Sequence, residues 1–284
     1  MKKTAIEKII TWIAFAVFLL YSVSLLFPFV WMFFNSFKEH TDFVTNIWGM
    51  PEKWMFSNYL TALKLEVEGF TLLEVFANTI VYVVISVVIT VTGPLVTAYV
   101  VSKYRFALRG FCNFLVILMI SVPIVGGEAA TFKLLVNMGL YDRWYFGLFI
   151  MALSGFGGSF LLYRAALDNT SWTYAEAAFM DGAGDLRVMV SIMFPMVKPM
   201  IIIQTVMGFI GAWNGWMGQW LYSPSYPTIS LAIKRLSDEF LQGSKPDFPK
   251  LFAAMTVSLV PVLVVFLCFQ KTIMNNFALG GLKG

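Results

Sequence analysis

Residues 174–199 read YAEAAFMDGAGDLRVMVSIMFPMVKP, and this stretch decides the fold. Tyr174 to Met180 is a short run of good helix formers that Gly182 and Gly184 interrupt. Glycine reverses a chain sharply because it reaches left-handed backbone angles at no steric cost. A second helical stretch resumes at Asp185, and Pro195 and Pro199 mark the return to apolar sequence. Thr173 and Glu176 have the spacing of a capping box, the threonine hydroxyl on the Glu176 amide and the carboxylate returning to Thr173, with Ser171 as a competing cap. A short helix with small residues at Ala175, Ala177 and Ala178 suits a groove in another protein. It would serve equally as a connector between two membrane helices, and the residues alone leave both readings open.

The sequence on either side is membrane. Of 284 residues 59% are hydrophobic, 17% aromatic and only 13% charged, which is too apolar for an ordinary soluble domain. A hydrocarbon core about 30 Å thick needs about 20 helical residues to cross. Runs of that kind, free of Asp, Glu, Lys and Arg, cover residues 9–37, 76–102, 110–127, 145–163, 199–222 and 251–269. They predict an all-α integral membrane protein, a single domain over residues 1–284 with six transmembrane helices. A β-barrel would show alternating segments of about ten residues instead. Pro28, Gly93, Pro94, Pro123, Gly155, Gly157, Gly158 and Pro261 fall inside these runs, where bundled helices tolerate them. The first run exceeds the roughly 7–15 apolar residues of a cleaved signal and is expected to stay as the first span.

Orientation follows from Lys2, Lys3 and Lys8 before the first span and from Lys103, Arg105 and Arg109 after the second. Placing both segments inside satisfies the positive-inside rule and puts both termini, with residues 174–198, in the cytoplasm. Over all loops the basic excess is narrow, so those two segments carry the orientation. A formal charge of +4 fits a membrane-surface protein and implies no nucleic acid. Cys112 and Cys268 read as apolar packing residues, and His40, the sole histidine, as a boundary residue; no metal spacing is present. Ser86, Thr90, Thr92 and Thr97 are expected to bond their own helix or a neighbour. Trp48 and Trp54 suit an interfacial aromatic belt, or a docking surface for an external partner. Glu128, near the membrane, is either a functional acid or a solvated loop charge.

A substrate region is sought on the fifth span. Trp213, Asn214, Trp216, Gln219 and Trp220 combine aromatic faces with amides, which suits a sugar: its ring offers apolar C–H faces and a hydroxyl edge. At 100° per residue Trp213 and Trp220 share a face, with Trp216 about 60° away. An interfacial tryptophan belt explains the same residues. Asn78, at the start of the second span, is the other pathway candidate.

Glu176-Ala177-Ala178, Asp181-Gly182-Ala183, Ile192, Phe194-Pro195 and Pro199 resemble the cytoplasmic EAA loop of ATP-binding cassette importer permeases, with Phe-Pro where the family usually has Leu-Pro. The resemblance extends over nearly the whole chain toward the maltose-type carbohydrate permeases. It is carried by Phe27-Pro28, Asn35-Ser36-Phe37-Lys38, Asn58-Tyr59, Asn78-Thr79, Ala98-Tyr99, Trp213-Asn214, Pro227-Thr228 with Leu231, Gln270-Lys271 and the tail Gly280-Gly281-Leu282-Lys283-Gly284. It implies a type I importer permease subunit in a bacterial cytoplasmic membrane, moving a carbohydrate by alternating access. Glu176, Ala177, Ala178, Asp181, Gly182 and Ala183 would form a coupling helix seated on an ATP-binding subunit. The implied partners are a second, different permease, two ATP-binding subunits and an extracytoplasmic solute-binding protein.

The chain lacks the Gly-x-x-x-x-Gly-Lys-Ser/Thr loop that cradles phosphates, so ATP and magnesium are expected in the partner and this chain is expected not to be an enzyme. Within the importer class the alternative is a permease for a polyamine or an amino acid. An ion-coupled transporter would need an intramembrane acid or base, which the six runs lack. A membrane enzyme would need clustered catalytic residues.

Overall fold

The structure, a computed structural model, describes residues 4–122, 126–145, 156–243 and 247–279. Lys2, Lys3, Pro123, residues 146–155 of the fourth predicted span and the tail 280–284 lie outside the described residues.

Helix α1 (Ala5–Asn35) opens with a complete capping box, the Glu7 amide donating to Thr4 Oγ1 at 3.3 Å and the Thr4 amide to Glu7 Oε2 at 2.8 Å. Short helices α2 (His40–Thr45) and α3 (Ser57–Leu63) follow, then a two-stranded hairpin of β1 (Glu66–Val67) and β2 (Phe70–Thr71) in antiparallel register Glu66 to Thr71, which the sequence reading did not foresee. Glu68 and Gly69 turn this hairpin at positive φ. Helix α4 (Leu72–Lys103) begins with a second capping box between Thr71 and Glu74. Helices α5 (Arg109–Ser121), α6 (Gly127–Asn137) and α7 (Phe156–Asp168) come next. The central loop contributes α8 (Thr173–Met180), α9 (Asp185–Val188), a π turn at Met189–Met193 and α10 (Phe194–Met196). The chain then runs through α11 (Lys198–Asn214), α12 (Met217–Tyr222), α13 (Ile229–Gln242) and α14 (Phe248–Leu279).

Among the described residues three helices are long and apolar enough to cross a membrane: Ile6–Asn35, Leu72–Lys103 and Phe248–Thr272. A fourth crossing arises if Asp185–Met196 and Lys198–Asn214, bent by 82°, count as one broken span. Pro28, Pro94 and Pro261 are all accommodated inside long helices.

Two expected spans need correction. In the run 110–127 the helix α5 ends at Ser121, because the residue before a proline is driven out of the α region and Val122, ahead of Pro123, is extended at φ −100°, ψ 103°. The run 199–222 is two helices, not one. At Gly215 the backbone is extended, and a Cβ there would lie 2.9 Å from the Gly211 carbonyl oxygen, so only glycine fits this break.

Two cores form at opposite ends of α4. At the Leu72 end, Leu72, Val75 and Val83 pack with Ala62, Val67, Trp213, Ile229, Leu236 and Leu251. At the Lys103 end, Leu95, Ala98 and Tyr99 pack with Phe160, Tyr163, Leu167, Ala175, Val188 and Met193. Glycines allow close helix contact: a Cβ on Gly157 would meet Ile120 Cγ1 at 2.9 Å, and one on Gly208 would meet Thr90 Oγ1 at 3.2 Å. The hydroxyls of Ser86, Thr90, Thr92 and Thr97 bond carbonyls of their own helix, as expected. Thr79 Oγ1 does more, since it also accepts the buried Ile229 amide at 2.8 Å. Cys112 is half-buried beside the second core, whereas Cys268 is exposed on α14.

The Asn35-Ser36-Phe37-Lys38 stretch is a buried polar knot. Lys38 is fully enclosed and donates to the Asn46 carbonyl. Asn58 Nδ2 donates to the carbonyls of Ser36 and Lys38 at 2.9 and 2.8 Å, and the Ser36 and Tyr59 hydroxyls lie 2.7 Å apart. Burial pulls the Lys38 ammonium below its ordinary pKa, partly opposed by Asp42. Trp48 stays exposed and stacks on Phe27, while Trp54 packs on Phe37 and Phe56.

Candidate functional site

The loop between α7 and α11 is fixed to the Lys103 end by one face only. Ala175 and Ala178 are buried in the second core. Tyr174, Glu176, Ala177, Met180 and Asp181 face outward, Met180 at 89% exposure. Of the three small residues expected on the surface, Ala177 alone is there. The expected capping box does not form. Trp172 is the N-cap, Thr173 is already helical, and the Glu176 amide bonds the Trp172 carbonyl at 3.1 Å. Ser171 supplies the partial cap, accepting the Thr173 amide at 3.3 Å. The Glu176 carboxylate is thereby left on the outward face.

The helix stops as its glycine predicts. Gly182 stands at φ +80°, its amide on the Phe179 carbonyl and the Ala183 amide on the Ala178 carbonyl, both at 3.0 Å. These two bonds make a Schellman motif, the common glycine ending of a helix. Apart from its two chain neighbours, no described residue has an atom within 4 Å of where a Gly182 Cβ would be, so the space beside this turn is open. Beyond it α9 passes into the π turn, and the 82° bend precedes α11, whose first turn takes Pro199.

The α4–α5 corner is stitched to this loop. Tyr104 donates to Asp185 Oδ1 at 2.6 Å, Lys103 Nζ to the Thr170 carbonyl at 2.6 Å, and Ser102 to Asp168 Oδ1 at 2.5 Å. Arg164 pairs with Asp168 at 3.4 Å and donates to Asn113. Tyr104 sets its ring edge-on to Trp172 at 5.9 Å. Burial, then the bond to Asp185, raise the Tyr104 phenol above its ordinary pKa, so it remains a donor. Neither Tyr104 nor Asp185 was singled out from sequence, because they are brought together only by the fold.

The pathway candidates divide. Trp213 is 2% exposed, stacks on Phe209 at 5.6 Å and donates Nε1 to the Ser258 carbonyl at 3.1 Å. The break at Gly215 puts Trp213 and Trp220 on different helices, so the single aromatic face expected for the fifth span does not exist. Trp216 and Trp220 remain exposed and lie 6.2 Å apart, with Lys234 Nζ 5.8 Å over the Trp216 ring. Gln219 is buried beside Tyr82. Together with Asn78, Trp144, Tyr226 and Thr228 these two residues line a small cavity, and Thr228 Oγ1 is buried without a hydrogen-bond partner among the described residues. Asn214 is exposed at the end of α11 and lies apart from that lining. Glu128 is exposed in the first turn of α6. Among the described residues no cluster of His, Cys, Asp and Glu is suited to hold a metal ion.

Residues 94–276 match the family model of the binding-protein-dependent transport system inner membrane component. The chain belongs to this family. The matched segment contains the whole loop at the Lys103 end and the residues that fasten it. Among the curated relatives of this permease is the maltodextrin transport system permease protein MdxG of Bacillus subtilis (strain 168). It is 30% identical over 214 residues, which cover 74% of this chain and 75% of the relative. The diacetylchitobiose uptake system permease protein NgcG of Streptomyces coelicolor is 27% identical over 269 residues, 94% of this chain and 87% of the relative. Among solved structures, one chain of a bacterial ABC transporter involved in the import of the acidic polysaccharide alginate shares the fold. It superposes with a TM-score of 0.80 at 24% identity, over 95% of the permease and 99% of that chain. These relatives are transport components, and so is this permease.

Proposed function

We propose that the chain is the transmembrane permease subunit of an ATP-driven, binding-protein-dependent carbohydrate importer. The maltodextrin and diacetylchitobiose names of its relatives support the substrate class. The observation that carries the mechanism is the one-sided anchoring of α8. Its inner face is locked into the core at the Lys103 end, and its outer face, Glu176, Ala177, Met180 and Asp181, ends at an open glycine turn. In this reading α8 is the coupling helix, with Glu176, Ala177, Ala178, Asp181, Gly182 and Ala183 as the coupling segment. It docks on an ATP-binding subunit in the cytoplasm, and that partner holds the ATP and magnesium. Six spans cross a bacterial cytoplasmic membrane with both termini inside. A second, different permease completes the pathway, and an extracytoplasmic solute-binding protein delivers the sugar.

The sugar's path passes the Leu72 end, where the exposed rings of Trp216 and Trp220 offer stacking surfaces. Asn78, Asn214 and the Gln219–Thr228 cavity offer hydrogen-bonding edges. Trp213 contributes by holding α11 against α14.

Solubilising the chain in detergent and identifying the subunits that purify with it tests this reading. Recovery of an ATP-binding subunit and a second permease, with the ATP-binding subunit selectively lost in Glu176→Arg and Gly182→Asp, is the expected result. A chain that purifies without an ATP-binding subunit and moves solute on an ion gradient would overturn it.

A further inference from the structure

The loop that carries α8 has two covalent routes into the membrane, α7 before it and α11 after it. Helix α4 has none, yet it is the element on which both cores are built. Among the described residues motion of the loop reaches α4 through side chains, by the packing of Leu95, Ala98 and Tyr99 in the second core and by Tyr104, whose ring and hydroxyl meet both halves of the loop. Tyr104, the residue that ends α4, holds Asp185 at the start of α9 through its hydroxyl at 2.6 Å. Its ring meets Trp172 at 5.9 Å, and Trp172 in turn lies 6.0 Å from Phe179 on α8. Tyr99, five residues earlier on α4, packs on both Tyr104 and Phe194. The neighbouring bonds from Ser102 and Lys103 reach only Asp168 and Thr170, before α8 begins.

We infer that Tyr104 and Asp185 form the positioning tie through which displacement of the coupling loop is delivered to α4. The inference rests on the coupling role proposed above for α8. The tie suits this task chemically. A neutral phenol donating to a carboxylate makes a charge-assisted bond, short and directional, which carries load without a second charge. Its loss leaves the rings packed, so Tyr104→Phe removes the tie and little else.

The test uses the assembled transporter in membrane vesicles, with Cys112 and Cys268 replaced by alanine. Reporter cysteines are placed one at a time by Asn78→Cys at the far end of α4 and by Asn214→Cys at the far end of α11. The probe is the rate of maleimide labelling before and after trapping with ATP and vanadate. Both reporters are expected to change rate on trapping in the otherwise unsubstituted chain. In Tyr104→Phe and in Asp185→Ala the response of the α4 reporter should fall by roughly three- to tenfold, the span expected for the net loss of one intramolecular hydrogen bond. The α11 reporter, driven through the chain itself, should keep its response. Asp185→Asn retains an acceptor oxygen and should restore most of the α4 response, which a general loosening of the loop would not do. Equal responses of both reporters in Tyr104→Phe would overturn the tie. Absence of response at both positions before any change to Tyr104 would instead overturn the ATP-coupling reading, and the tie with it.

Discussion

Gly182 separates the two demands placed on the turn that ends the proposed coupling helix. Its φ of +80° is a conformation that costs a residue with a side chain about 1–2 kcal/mol, with asparagine and aspartate at the lower end because their short polar side chains bond the local backbone. Beyond its two chain neighbours no described residue lies within 4 Å of the added Cβ, so that backbone term sets the intramolecular cost. Against a typical domain stability of about 5–15 kcal/mol the fold survives any of these changes. Stability should therefore fall in the order glycine, asparagine, aspartate, alanine. Docking responds to size and charge instead: alanine intrudes least, asparagine more, and aspartate most, because it adds a second carboxylate beside Asp181. Recovery of the ATP-binding subunit should then fall in the order glycine, alanine, asparagine, aspartate. Thermal unfolding of the detergent-solubilised chain measures the first order and co-purification the second, and the two diverge at alanine. If recovery followed stability, with Gly182→Ala worst, the turn would matter only as a helix ending and the docking argument would fail.

Four further changes address the rest of the fold. Thr79→Val keeps the shape but leaves the buried Ile229 amide without its acceptor, and should cost about 1–3 kcal/mol in thermal or denaturant unfolding. Trp213→Ala should cost about 3–5 kcal/mol and reduce the amount of folded protein, as expected for a buried core ring. Trp220→Ala, at an exposed position, should change stability by less than about 0.5 kcal/mol and act on uptake alone. Lys38, its pKa depressed by burial, binds fewer protons folded than unfolded over the alkaline range just below the ordinary 10.5. Stability relative to Lys38→Met should therefore rise with pH through that window. A flat difference between the two proteins would show that the lysine is not desolvated.

The features legible in the sequence are those set by neighbours along the chain. Gly182 ends α8 because a left-handed residue was needed there, and the two alanines that bury follow from helical spacing once a face is chosen. The long apolar runs of α1, α4 and α14 announce themselves by length. The features that were not legible depend on groups far apart in sequence. Thr173 looked like a cap, but packing of Trp172 against Tyr104 and Phe179 starts the helix one residue earlier and makes threonine its first residue. Trp213 looked like part of a sugar face until Phe209, Phe76 and Ser258 were found around it. The glycine that breaks 199–222 was visible, yet membrane helices also carry glycine without breaking. Here the break is local: the Gly211 carbonyl, four residues earlier, accepts the Gly215 amide at 3.0 Å and would lie 2.9 Å from any Cβ at Gly215.

The placement of the two cores bears on how such a chain moves. Thirty-two residues of α4 extend about 48 Å, beyond the roughly 30 Å of hydrocarbon, so both of its ends work at or past the membrane surfaces. One end is built into the knot-and-hairpin side through Leu72, Val75 and Thr79, and the other into the coupling loop through Ala98, Tyr99 and Tyr104. Between them Gly208 of α11 faces Thr90 of α4, near the middle of both helices. A glycine at such a crossing removes the interlocking side chain that would fix the angle between two helices, while the packing on either side keeps them in contact. Displacement of the loop at the Lys103 end then has a simple outlet, a change in that crossing angle. Such a change moves the Leu72 end, with Asn78 and the cavity beside Gln219, in the opposite sense. Under the coupling role proposed for α8, a lever and a crossing point of this kind would serve alternating access, and they require the loop to be fastened to α4 as firmly as to its own chain neighbours.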